Sequence, residues 1–224
     1  MKHIKSIITI ALLAAAASCT DMKGDNNGTD GGDSKPKQFT SATEAAVAAK
    51  EDMLAAAETV DFGIDKGKLK SAEPGAPVYK YEIDWEALLK ADTNTTPETV
   101  SGREALTLVP LINNGEVITI ISLRDENGSY GIGGLGDKQI SSELDMVRRA
   151  NPAGMQGEVS IYEVPNLQAT IYAVKGSELY YTSYNNNSIR QGLTAKELVD
   201  NLRMDAQRFE KQYRDQLRKG KLVR

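Results

Sequence analysis

The sequence predicts an α+β protein: antiparallel sheet built from two three-strand meanders and covered by helices, one of them long and C-terminal. Three observations predict it. Apolar runs of strand length alternate with Gly-containing turns over 105–133 and again over 158–184. Ala-rich or amphipathic stretches at 41–60, 137–149 and 194–220 carry the helical period. The chain has 224 residues, 40% of them hydrophobic, enough for one medium domain or two small ones.

The elements begin after a leader. Met1-Lys2-His3-Ile4-Lys5 is a short basic start, and Ser6 to Ala17 is an apolar run of signal-peptide length, too short to span a bilayer. Ala16-Ala17-Ser18-Cys19 sets the one cysteine of the chain directly after small residues. This stretch resembles the lipobox of bacterial lipoproteins. The resemblance implies a signal peptide over 1–18, cleavage before Cys19, thioether lipidation of Cys19 and acylation of its new amino group. Residues 19–40 follow as a tether rich in Gly, Asp, Asn, Lys and Pro, too poor in apolar side chains to offset chain entropy. An acidic, Gly-rich tether resembles those of surface-exported lipoproteins of the Bacteroidetes type. Thr20 after the cysteine resembles an outer-membrane sorting signal. The implied location is the outer membrane, on its periplasmic or its cell-surface face.

The body is expected over 41–224. Ser41–Val60 reads as a helix capped by Ser41 or Thr43, with Val47, Leu54 and the intervening alanines as its apolar stripe. Residues 61–77 read as loop. Val78–Trp85 alternates Tyr79, Tyr81, Ile83 and Trp85 against Lys80, Glu82 and Asp84, a strand signal. One or two helical turns follow, then a loop over 92–102. Strands at 105–112, 116–124 and 129–133 form the first meander, with Asn-Gly turns between them. A helix over 137–149 separates it from strands at 158–165, 168–175 and 178–184. Val109-Pro110 and Val164-Pro165 fall at matching places in the two strand groups. They suggest pseudo-repeats over 41–136 and 137–224, the alternative being one continuous sheet with helices on one face. Thr194-Ala195-Lys196-Glu197 is a capping box, and Leu198, Leu202, Ala206, Phe209, Tyr213 and Leu217 form one stripe up to Gly220. That stripe is expected to cover the sheet.

Composition removes several chemistries. His3 is the only histidine and lies in the leader, so the body has neither histidine nor thiol. Triads, Cys-His pairs and zinc sites need those groups. Neither enzyme activity nor a cofactor is expected. The formal net charge of −4 argues against nucleic acid as a partner. Gly131, Gly133 and Gly136 match the spacing G-x-G-x-x-G. They follow a hairpin turn rather than a buried parallel strand, so nucleotide binding is not expected and a bend ending the strand is. The acids Asp21, Asp25, Asp30 and Asp33 lie in the tether and read as solvated charge. Glu82, Asp84 and Glu86 lack an opposing acid across a cleft, so no metal or hydrolytic site is assigned to them.

Residues 106–137 resemble small extracytoplasmic domains of the PepSY-like or cystatin-like kind, which implies a helix-on-sheet binding module. The expected role is a non-catalytic binding or accessory module for a protein partner, held to the membrane by its lipid. The alternative is glycan or peptide binding in a nutrient-uptake system. Tyr180, Tyr181, Tyr184 and Asn186 are the candidate ligand surface, because aromatic rings and amides suit sugar faces.

Overall fold

Two tight turns organise the longest strands. Asn114 and Gly115, and again Asn127 and Gly128, all have positive φ, as a two-residue turn matched to strand twist requires. They join three strands that run back and forth. The computed structural model describes residues 37–151 and 158–219. The leader, Cys19, the tether up to Pro36 and Gly220 lie outside the described residues.

In chain order the elements are β1 (Gln38–Phe39), α1 (Ala42–Ala56), α2 (Lys66–Ser71), β2 (Glu73–Pro74), β3 (Val78–Ile83) and α3 (Trp85–Leu89). There follow β4 (Ser101–Asn113), β5 (Glu116–Glu126), β6 (Ser129–Leu135) and α4 (Lys138–Ala150). The remainder is β7 (Val159–Val164), β8 (Ala169–Val174), β9 (Leu179–Tyr181), β10 (Leu193–Thr194) and α5 (Ala195–Arg218). The fold is α+β, with both predicted meanders present as β4-β5-β6 and β7-β8-β9.

All strands belong to one sheet, in the order β1-β6-β5-β4-β3-β7-β8-β9-β10, with β2 also on β4. The strand β3 is the seam. It pairs antiparallel with β4 and parallel with β7, and it is the one parallel junction among the described residues. Tyr81 stacks on Tyr162 across that seam at 5.5 Å between ring centroids, and Lys80 pairs with Glu163 at 2.9 Å. The two Val-Pro pairs occupy different places: Val109-Pro110 lies inside β4, whereas Pro165 opens a 3₁₀ turn after β7.

Helices cover both faces rather than one. Ile161 and Leu108 pack with Ile140, Leu144 and Val147 of α4. Their neighbour Tyr162 packs with Leu198, Leu202 and Ala206 of α5, and Val109 with the alanines of α1. Successive strand side chains point to opposite faces, so α4 covers one face while α1 and α5 share the other. Strands buried on both sides read as continuous apolar runs, which is why "ALTLVPLI" and "EVITIISL" do not alternate.

Several local expectations need correction. The buried stripe of α1 is Ala42, Ala45, Ala46, Ala49 and Met53, whereas Val47 is 40% exposed on the opposite side. Small residues let the helix axis approach the sheet closely. Residues 61–77 contain α2, which Asp65 caps by accepting from Lys68 N at 2.7 Å. Trp85 does not continue β3. Asp84 turns the chain into α3 by accepting from Ala87 N, and Trp85 is buried against Phe209 of α5. The chain joins the sheet at Gln38, inside the stretch expected to be tether. The capping box at Thr194 is formed: Glu197 N donates to Thr194 Oγ1, and Thr194 N donates back to the Glu197 carboxylate.

Candidate functional site

The glycine motif has a structural use. Ser122 pairs with Gly134 and Leu123 with Ile132, so Gly133 is an extra residue that bulges β6 against β5. A Cβ there would lie 3.2 Å from the Arg124 side chain and 3.4 Å from the Ser122 carbonyl oxygen. Gly136, at φ +70, then turns the chain toward α4. Asp137 caps that helix, its carboxylate accepting from Ile140 N at 2.9 Å.

The early end of β6 leaves a hollow at the corner of the sheet. Its last pair sets Leu135 against Ile121, while β5 continues back to Glu116. The corner of the sheet beside residues 116–119 is therefore left without an outer strand. α4 forms one wall of this notch, through Lys138, Ser142, Asp145, Met146 and Arg149. Met53 and the loop Phe62-Gly63-Ile64 form the other, with Leu135, Gly136 and Arg190 at the rim. The cavity measures about 740 Å³, inside the usual range of about 300–1,000 Å³ for ligand sites. Phe62 and Leu135 are 40% and 42% exposed at its mouth, a large fraction for side chains of that size.

The polar groups of the cleft sort into committed and uncommitted. Asp145 accepts from Val117 N at 2.9 Å and pairs with Arg149 at 2.7 Å, which ties α4 to the bare end of β5. That carboxylate holds the Arg149 guanidinium above its ordinary range. Glu116 pairs with Lys68 at 2.8 Å. Its carboxylate raises the Lys68 ammonium in turn. Lys138 and Arg190 make no ion pair among the described residues. The cleft thus mixes apolar side chains (Met53, Phe62, Ile64, Leu135, Met146) with polar ones and carries a surplus of positive charge. Nothing in "DFGID" or "GLGDK" marked it in the sequence; it arises where β6 stops short.

The tyrosines singled out from the sequence do not share one surface. Tyr180 and Tyr181 are buried and point to opposite faces. The Tyr180 hydroxyl donates to Glu98 at 2.7 Å, and that of Tyr181 accepts from Asn151 at 3.3 Å. Burial, with Glu98 beside it, pushes the Tyr180 hydroxyl up. Tyr184 is half-buried and donates to Asp205 at 2.8 Å; burial and that carboxylate push it up to about 12. It lines a hollow of about 440 Å³ with Asn185, Asn201, Met204 and Gln212. Asn186 is exposed, at φ +63, and is not part of that lining.

A third hollow gathers Glu82 and Asp84 with Glu104, Asp125 and Glu126. Opposing acids are therefore present there, contrary to the reading of the strand alone. No group of three or more potential metal ligands occurs among the described residues. The sequence matches no family model, and comparison with curated proteins and with solved structures yields no match.

Proposed function

We propose that this chain is a lipid-anchored module of the cell envelope, held through Cys19, that binds a protein partner without catalysing a reaction. The observation that carries the reading is the corner cleft, with Phe62 and Leu135 displayed at its mouth. Exposed apolar side chains around a concave site are the usual mark of an interaction surface. The carboxylates of the cleft are engaged in holding α4 and α2 in place, so its chemistry favours recognition.

The test is covalent capture from the native outer membrane with a photo-crosslinker at residue 63. A single stoichiometric partner, abolished by Phe62→Asp with Leu135→Asp and released into the soluble fraction by Cys19→Ala, is the expected result. Recovery of the chain alone, or of proteins indifferent to the Phe62 and Leu135 changes, overturns it. A second reading, glycan binding, draws on the amides of Asn185, Asn201 and Gln212 beside Tyr184. Oligosaccharide binding lost in Asn201→Ala and kept in Phe62→Asp would select it.

A further inference from the structure

We propose that the cleft receives the end of a polypeptide: an extended apolar segment whose free terminal carboxylate is held between Lys138 and Arg190. The inference rests on the partner-binding reading and names what of the partner is bound.

Shape argues for an extended backbone. The notch continues the track that β6 abandons at Leu135, alongside Glu116–Thr119 of β5. Because Asp145 already accepts from Val117 N, an extended segment there is held chiefly by its side chains and its end. Capture of a chain end, with side-chain pockets setting specificity, is a standard mode of peptide recognition. Phe62, Ile64, Leu135 and Met146 offer apolar walls on both sides of that track. A plain hydrocarbon chain suits the cleft less well, because Ser142, Thr119 and Glu116 also line it. Polar groups covered by an acyl chain would lose their hydrogen-bonding partners in water, whereas peptide amides can replace them.

Charge argues for a carboxylate. Of the five ionised side chains lining the cleft, Glu116, Asp145 and Arg149 are already paired. The remaining two, Lys138 and Arg190, are cations without an ion pair among the described residues. Both are exposed at the cleft, and an anion reaching them makes charge-assisted hydrogen bonds, the stronger kind. A peptide carrying its negative charge at the chain end places apolar side chains in the notch and the anion at the rim.

The experiment uses the full chain in detergent and fluorescent tetrapeptides with Leu, Ile, Val, Phe or Met at the last two positions. Each is made as the free acid and as the terminal amide. The free acids are expected to bind about tenfold more tightly than the amides, equivalent to about 1.4 kcal/mol. Lys138→Gln with Arg190→Gln should erase that difference while leaving amide binding and the melting temperature unchanged. Equal affinity of acid and amide, no binding by any tetrapeptide acid, or displacement of the acids by palmitate at lower concentration each overturns the proposal. If capture at Phe62 and Leu135 persists while acid and amide bind equally, only the terminal-carboxylate inference fails. If the acids bind but no partner is captured, the partner reading alone fails.

Discussion

At the level of single residues, the most demanding position is Glu143. It is a carboxylate on α4, nearly enclosed, that would be costly there without hydrogen-bond donors. Three donors meet it: Tyr172 Oη at 2.9 Å, Ser183 Oγ at 2.7 Å and Gln139 Nε2 at 3.2 Å. Burial beside that carboxylate pushes the Tyr172 hydroxyl up. The arrangement locks α4 to β8 and to the segment after β9, so the wall of the cleft is held from behind. Tyr172→Phe keeps the ring and removes one donor. It is expected to cost about 1–3 kcal/mol in urea unfolding, because the acceptor stays buried. An unchanged unfolding midpoint would show that Ser183 and Gln139 suffice.

At the level of elements, α1 shows how side-chain size sets a helix's distance from the sheet. Ala45, Ala46 and Ala49 are fully buried against Val109, Leu111, Ile121 and Leu123, with Met53 filling the end nearest the cleft. A larger side chain there has nowhere to go. Ala46→Leu is expected to destabilise by about 1–3 kcal/mol through overpacking. Val47→Ala on the exposed side should change stability by less than about 0.5 kcal/mol. Chemical denaturation of the two variants side by side checks the assignment, and the opposite ranking would mean that α1 is rotated. The C-terminal helix obeys the same logic in its first half, where Leu198, Leu202 and Ala206 of the predicted stripe are buried against the sheet. Beyond them, Phe209 packs on Trp85 of α3 and Tyr213 on Phe209.

At the scale of the whole molecule, the seam strand β3 decides whether the two meanders act as one body. Tyr162 sits in that seam, and burial pushes its hydroxyl up to about 12; Tyr184 is raised to a similar value on the α5 side. The folded state therefore keeps these protons to higher pH than the unfolded chain, whose tyrosines titrate near 10. The contribution is complete below pH 10 and falls as pH rises from 10 toward about 12. Urea midpoints across that window should decline in step with tyrosinate absorbance. The decline should be shallower in Tyr162→Phe with Tyr184→Phe. Midpoints independent of pH would mean that these hydroxyls reach solvent in the folded state.

Much of this architecture was legible in the amino-acid order. Asn-Gly pairs demand positive φ, so the hairpins of β4-β5-β6 were readable. The capping box and stripe of α5 were readable for the same reason, since each depends on residues within a few positions of one another. The short helix α2 was missed because Gly67 and its lysines read as loop, and only docking of Leu69 against the sheet makes the segment worth ordering. The Tyr180–Tyr184 group was misleading in a like manner: spacing brings the rings close along the chain, but alternation along β9 sends Tyr180 and Tyr181 to opposite faces. Local sequence determined the turns, the caps, the helical stripes and the absence of histidine and thiol from the body. Tertiary structure alone decided the parallel β3–β7 junction, the helices on both faces and the cleft. Those three depend on which strand lies beside which and where one strand ends relative to its neighbour. Such relations join residues far apart in the chain, and no local preference encodes them.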